Sequence, residues 1–250
     1  EDARKDMLSG KWLFGRGTGD MKFGLAQATA YIMEASLCLD FDGSVILMVV
    51  PDEENNSAGM MTAVPALNEI RRRYGLEYRG FINNEPHLKE GGYHLMDMGG
   101  VGKIMPAVFC VGKEGHAGLP FEALNADPML AAVLQEIEFS MDYVDSLDDV
   151  YTLPTTVLKM GDNKTLYSVS MPYIAYAYFT VSTLTFTPED VIDLLKVSCR
   201  RAMAKLTGRI REFCEDYNKL TGEEHAPKWD IPILTYRELY NKIKEVRGDA

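Results

Sequence analysis

The stretch that decides the fold class is VILMVVPDEE, residues 45–54. Its first six residues are all apolar and rich in β-branched side chains, which is typical of a strand covered on both faces in a parallel sheet. Pro51 ends the strand, and three acidic residues follow it directly. Because ligands of open α/β sheets bind beyond the carboxyl ends of the strands, this placement makes the acidic residues candidates for a functional site.

The segments on either side extend the same α/β pattern. Apolar residues recur every three or four positions over residues 21–35 and 63–74, which predicts two helices packed on one face. Residues 11–14 and 80–82 are short strand candidates. Strand, helix, strand, helix and strand in this order predict a layered sheet with crossover helices.

A second module of α+β character follows the glycine-rich residues 99–102. Thr187, Pro188 and Asp190 are typical of a helix start, with a threonine N-cap, a first-turn proline and an acidic residue three positions after the cap. The patterns predict strands at 107–111, 156–160 and 173–186, and helices at 125–137, 187–206 and 210–220.

Composition excludes two classes of partner. The 250 residues hold 26 Lys and Arg against 37 Asp and Glu, a net charge of -11, so the chain offers no broad basic surface for nucleic acid. The longest apolar run, residues 173–179, falls well short of the roughly 20 residues that span a bilayer. Four widely spaced cysteines without a C-x-x-C pair favour a reducing, cytoplasmic setting.

The first residues, EDARKD, are charged, lack the apolar core of a signal peptide and do not begin with methionine. We therefore expect the chain to be a fragment of a longer protein.

Acidic residues follow each predicted strand of the first module: Asp20, residues 52–54 and Glu85. Carboxylates from separate strands repel one another unless a cation neutralises them, so their convergence would favour a divalent metal. The alternative is that Asp20 caps the following helix and the others are solvated loop charges. Nucleotide binding is disfavoured, because the glycine loop at 15–19 has neither dinucleotide nor P-loop spacing.

Four motifs in order resemble those of the two-zinc amidohydrolases, which include aminoacylase, succinyl-diaminopimelate desuccinylase, acetylornithine deacetylase and the glutamate carboxypeptidases. They are FGRGTGDMKFG at 14–24, DEE at 52–54, NEP at 84–86 and GKEGHAG at 112–118. Four ordered motifs make a chance match improbable. The segments NNSAG at 55–59 and VGKIMP at 101–106 look most like the arginine-utilisation branch.

The resemblance implies an α/β fold, a phosphorylase/hydrolase-like layered sheet domain with an inserted α+β ferredoxin-like lid. The sheet domain would be incomplete in this chain. Its first part would occupy residues 1–102, the lid 103–206, and the return into the sheet domain 207–250. A homodimer through the lid is also implied.

The resemblance further implies roles for five residues. Asp20 would bridge two zinc ions, and Glu54 and Glu85 would each bind one of them. Glu53 would be the general base for a metal-bridging water that attacks the amide of a peptide or N-acyl amino acid. His116, carried on the lid, would stabilise the oxyanion, often in the partner subunit's site.

The match fails at the histidine ligands. The family supplies one from a His-x-Asp motif before the glycine loop and one far downstream, and the four histidines at 87, 94, 116 and 225 provide neither. His87 is either a neighbour of the site or an exposed residue, and His94 and His225 have no recognisable spacing. Three carboxylates alone form an oxygen-only site better suited to a harder ion.

The lid also departs from the family, since no Lys or Arg lies between Lys164 and Lys196, where many relatives clamp a substrate carboxylate. Residues 167–172 likewise lack an Asn-x-x-Pro sequence. We therefore expect a metal-dependent amide hydrolase whose present fragment is inactive alone. The alternative is a non-catalytic relative that serves as a structural or interaction module.

Overall fold

A computed structural model describes residues 2–86, 96–227 and 229–248. The chain divides into two compact units, Glu1–Asp97 and Met98–Ala250. Helices and sheets both occur, so the predicted mixed α/β class is confirmed.

The first unit is built from helices. These are α1 (Asp2–Ser9), α2 (Gly24–Leu37) and α3 (Ala58–Tyr74). Both predicted helices of this unit are present, and α3 ends at Gly75, whose left-handed φ of 64° lets its N–H bond to the carbonyl of Arg71.

The three predicted strands of the first unit, at 11–14, 45–50 and 80–82, are not strands in the structure. A strand is completed by ladder hydrogen bonds to a neighbour, and within residues 2–86 these segments form no ladder. Their apolar side chains are correspondingly accessible, with Val49 61% exposed. Gly24 is the one buried residue of the described range 2–86.

The second unit contains most of the regular structure. Its elements are β1 (Gly102–Ile104), β2 (Ala107–Val111), α4 (Ala126–Ile137), β3 (Ser146–Leu147), β4 (Val150–Tyr151), β5 (Thr156–Asp162), β6 (Ile174–Thr183), α5 (Pro188–Thr221) and α6 (Tyr236–Arg247).

Strand β6 is the centre of the main sheet. It pairs antiparallel with β1 and β2 along one edge and with β5 along the other. Ala177 is opposite Val108 of β2, and Phe179 is opposite Val157 of β5, where a register shift follows. Strands β3 and β4 form a separate two-stranded sheet.

The core lies between this sheet and two helices. Side chains of a strand alternate between faces, and on β6 the alternate residues Ala175, Ala177, Phe179 and Val181 are almost fully buried. Helix α4 contacts β2, β5, β6 and α5, and it buries Leu130, Val133 and Ile137 in the same core.

Helix α5 corrects one prediction. The two helices predicted at 187–206 and 210–220 are a single helix of 34 residues. Gly208 lies inside it, and an interior glycine costs only about 1 kcal/mol relative to alanine, too little to break a long helix. The buried stripe is also rotated slightly from the predicted one, since Val191 is buried while Ile192 is 37% exposed.

Among the described residues, none of the helices is both long enough and apolar enough to cross a membrane.

Candidate functional site

Asp20 lies in a glycine-rich turn immediately before α2. Gly17 has a left-handed φ of 70°, which glycine adopts without steric cost. The turn is closed by the N–H of Lys22, which donates to the carbonyl of Gly17 at 3.0 Å, and by the Lys22 ammonium, which donates to the carbonyl of Arg16 at 3.1 Å. Both contacts leave the carboxylate of Asp20 exposed.

The alternative role of Asp20 as a helix cap does not hold. Helix α2 begins at Gly24, and its N-cap residue is Phe23. Asp20 itself has φ and ψ of -112° and 101°, outside the helical region. An N-cap side chain must reach the first backbone N–H groups of its helix, and Asp20 lies three residues before that cap.

The segment that carries Glu85 lies against the start of α2. Asn84 donates from its amide to the side-chain oxygen of Gln27 at 3.1 Å. A Cβ placed on Gly24 would lie only 2.7 Å from the Cβ of Asn84, so this approach requires glycine. The Asp20 turn and the segment that carries Glu85 therefore both lie at the start of α2.

Glu53 and Glu54 lie in a tight turn before α3. Within this turn Asp52, Asn56 and Ser57 all have left-handed φ angles, between 51° and 60°. The N–H of Ser57 donates to the carbonyl of Glu53 at 3.2 Å, which closes the turn and leaves both glutamates exposed. Gly59 lets α3 approach the preceding residues, because a Cβ there would meet the carbonyl oxygen of Pro51 at 2.4 Å.

The carboxylates do not form a metal centre by themselves. In the portion of the chain that the structure describes, no three residues among His, Cys, Asp and Glu lie together as ligands for one ion. Glu85 accepts a hydrogen bond from the side chain of Asn83 at 2.7 Å. Three oxygen donors also lack the nitrogen ligands that zinc favours, so the residues present do not fit a complete two-zinc site.

His116 lies on the second unit, in the loop after β2. The segment around it pairs with residues 169–171: the N–H of Ala117 donates to the carbonyl of Val169 at 3.0 Å, and the N–H of Met171 to the carbonyl of Gly115 at 2.8 Å. His116 is opposite Ser170 in this short antiparallel pairing. The imidazole is exposed while its backbone is held on one side by a neighbouring loop.

A backbone hydrogen bond sets the tautomer of His116. The N–H of Gly118 donates to Nδ1 at 2.9 Å. A nitrogen that accepts carries no proton, so the neutral ring bears its proton on Nε2. His116 therefore presents an N–H donor on the far side of the ring, which is the group that oxyanion stabilisation needs.

The loop that pairs with His116 contains a lysine that sequence reasoning did not select. Lys164 donates to the carbonyls of Ser168 and Ser170, both at 2.7 Å. The loop borders an open polar pocket of about 250 Å³, which Glu114, Lys164 and Tyr173 help to line. The sequence offers no signal for these contacts of Lys164, because they depend on how residues 164–170 fold back toward the lysine.

His225 has a structural environment. Its ring stacks on Phe121 with centroids 4.6 Å apart and bonds Glu223 at 2.7 Å. The Asn218 side chain both donates to and accepts from the His225 backbone, and the Cys214 thiol donates to the same carbonyl. His87 and His94 lie outside the described residues.

The sequence profile of the peptidase family M20/M25/M40 matches residues 5–235. This chain belongs to that family. The match covers all four motifs and confirms the resemblance to the amidohydrolases.

Related proteins support the same placement. The Bacillus subtilis (strain 168) protein YqjN is 32% identical over 251 residues, which are 99% of this chain and 46% of that protein. Protein RocB of the same organism is 25% identical over 252 residues, 98% of this chain and 44% of RocB, and this match confirms the resemblance to the arginine-utilisation branch.

A third relative is the succinyl-diaminopimelate desuccinylase of Roseobacter denitrificans, which is 26% identical over 154 residues, 61% of this chain and 40% of that enzyme. The chain spans less than half the length of each of these three relatives.

Proposed function

We propose that this chain is part of an enzyme that hydrolyses the amide bond of a peptide or an N-acyl amino acid. The observation that carries the proposal is the order of the four motifs within residues 14–118, inside a family match that covers residues 5–235. The similarity to a desuccinylase supports an N-acylated substrate.

In this proposal each site residue has a distinct task. Glu53 is the general base, and Asp20, Glu54 and Glu85 are this chain's share of the ligands for two divalent metal ions, zinc by family resemblance. The described residues bring no three such donors together, so the remaining ligands would have to come from outside them. His116 supports the developing oxyanion through the N–H on its Nε2, and the bond from Gly118 to Nδ1 keeps that proton in place.

We further propose that the second unit contains the lid of the enzyme. The order β2–β6–β5, with the connection through α4 and with α5 after β6, supports a ferredoxin-like lid over residues 103–206. Residues 1–102 would then belong to the sheet domain. The return into that domain at 207–250 would begin within α5, which is continuous to Thr221, and in this chain these residues lie in the second compact unit. A homodimer through the lid and a cytoplasmic location belong to the same proposal, and buried free thiols at Cys110, Cys199 and Cys214 support a reducing setting.

One observation favours a second candidate, a non-catalytic relative that keeps the fold as a structural or interaction module. In the ranges that the structure covers, the predicted metal ligands do not come together as a group of three donors. Retention of Asp20, Glu53, Glu54, Glu85 and His116 together favours the enzyme, because a relative without catalysis has no chemical need for all five.

Three adjacent carboxylates allow a matched test in the protein that the complete gene encodes. We expect Glu53→Gln to lower kcat for N-succinyl and N-acetyl amino acids at least about 100-fold, with bound zinc unchanged, because it removes only the proton acceptor. Glu54→Gln should lower bound zinc, and Asp52→Asn should change neither. The measurements are hydrolysis rates with added zinc and metal content by mass spectrometry.

Outcomes of this test separate the two candidates. A complete protein that hydrolyses none of these substrates in zinc would favour the non-catalytic relative, and equal losses in all three variants would contradict the assigned roles. The 250-residue chain should bind zinc weakly and hydrolyse little. Strong hydrolysis by the 250-residue chain would show that its three carboxylates suffice to hold the metal ions. The expectation that further histidine ligands are needed would then be wrong.

A further inference from the structure

The ammonium of Lys164 closes the loop that pairs with His116. It donates to the carbonyls of Ser168 and Ser170 at 2.7 Å each, while its backbone N–H donates to the carboxylate of Asp162 at 2.6 Å. A charged donor makes stronger hydrogen bonds than a neutral one. Both ends of the Lys164 residue are therefore fixed, and so is the path of residues 164–170.

Residues 168–170 are held from two directions. Lys164 binds the carbonyls of Ser168 and Ser170, and the carbonyl of Val169 between them accepts the N–H of Ala117 at 3.0 Å. The three successive carbonyls therefore have two different partners. Lys164 binds the outer two, and the His116 segment binds the carbonyl between them.

The surroundings show that this lysine is committed to the protein and is not a clamp for a substrate carboxylate. It is half-buried, and two of its three N–H donors are used by carbonyls. Three acidic residues lie near it: Asp162, Asp127 and Glu114. A substrate anion would have to compete with both carbonyls and approach these carboxylates.

We propose that Lys164 is a positioning residue for His116: by fixing residues 168–170 it holds the segment on which the imidazole is carried, so that the Gly118–Nδ1 bond and the Nε2–H direction are kept. This inference rests on the proposed role of His116. It also gives a function to a lysine in a region where a substrate-clamping arginine is absent from the sequence.

The test uses the 250-residue chain with isotopically labelled histidine, and His116→Asn assigns the His116 signals. We expect Lys164→Met to move the ring ¹⁵N shifts of His116 toward a mixture of the two tautomers. Exchange of the Ala117 and Met171 amide protons should become at least about tenfold faster, as expected for loss of charged hydrogen bonds. Lys164→Arg keeps a charged donor with several N–H groups. It should therefore show the wild-type ring shifts of His116 and the wild-type amide exchange rates.

The matched control is Lys159→Met, which removes an exposed lysine on β5 of the same sheet. Unchanged His116 shifts and exchange rates in Lys164→Met would overturn the inference, as would equal changes in Lys159→Met. If Lys164→Met unfolds the unit, Lys164→Gln, which keeps one neutral donor group, replaces it. Its His116 shifts and exchange rates should lie between those of the wild type and those expected for loss of both bonds. Wild-type shifts and rates in Lys164→Gln would equally overturn the inference. These readouts need no turnover, so failure of the hydrolysis assay and failure of this inference are separate results.

Discussion

At the scale of single residues, Asp145 is a buried carboxylate of the second unit that accepts several hydrogen bonds. It is 2% exposed, and it accepts the backbone N–H groups of Leu184, Thr185 and Phe186 at 2.6–2.7 Å together with the hydroxyl of Thr185. These donors belong to the turn that joins β6 to α5. Asp145 therefore fixes the turn from a loop about forty residues earlier in the chain.

The same contacts set the charge state of Asp145. Burial acts to raise its pKa, but the hydrogen bonds from Phe186, Thr185 and Leu184 outweigh burial and hold the pKa well below the ordinary value of 3.8. Since the folded state has the lower pKa, the stabilisation is fully present above the unfolded-state pKa and is lost as pH falls through the folded-state pKa.

We predict that Asp145→Asn lowers the free energy of unfolding by about 3 kcal/mol at pH 7, because an amide cannot accept all of these bonds. The loss of stability of the wild type below about pH 4 should also be shallower in the variant. Urea titrations between pH 2 and 7 measure both effects, with Asp149→Asn on the exposed turn between β3 and β4 as the control. Equal pH dependence in wild type and Asp145→Asn would contradict the assignment.

At the scale of elements, helix α4 joins the two sides of the core. Asn125 caps it by accepting the N–H of Asp127 at 3.0 Å, and its buried face contacts both the sheet and α5. Two ion pairs, from the largely buried carboxylate of Glu136 to the more exposed Arg201 and Lys205, add contacts to α5. Because ion pairs with solvent-exposed partners stabilise proteins little, the apolar face should carry most of the packing energy.

We predict that Leu130→Ala, at a residue 1% exposed in this face, lowers the free energy of unfolding by about 3 kcal/mol, through lost burial and the cavity that remains. Leu153→Ala removes the same atoms from a residue 80% exposed and should change it by less than about 0.5 kcal/mol. Denaturant melts of both variants test this comparison. Similar losses in the two would show that α4 does not form the core as described.

At the scale of the whole molecule, the two units differ in how much they bury. The second unit has a continuous apolar core, whereas Gly24 is the one buried residue within residues 2–86. Local stability follows burial and backbone hydrogen bonding. The first unit should therefore open at a much lower free-energy cost than the second.

Hydrogen exchange tests this difference in the 250-residue chain. We predict that the amides of residues 45–50, which form no ladder within residues 2–86, exchange at least about 100-fold faster than those of Ala175–Val181 on β6. Mass spectrometry of peptides from each segment gives the two rates. Equal protection would contradict the absence of a ladder at residues 45–50 and would favour the strand that the sequence predicted.

The sequence by itself determined what depends on neighbouring residues. The cap of α5 is an example: Thr187 and Asp190 exchange hydrogen bonds across three positions, and their identities predicted the helix start that the structure shows. The four family motifs were equally local. Family membership and the candidate site residues therefore followed from sequence.

Only the tertiary structure decided what depends on residues far apart in the chain. The bonds of Asp145 to residues 184–186, the pairing of Ser170 with His116 and the missing ladders of residues 45–50 have no local signal. Helix continuity through Gly208 belongs to the same group, because the cost of one glycine is outweighed by packing along the whole helix. The physical reason is that local hydrogen bonds are encoded by adjacent side chains, whereas long-range ones exist only where the folded chain returns.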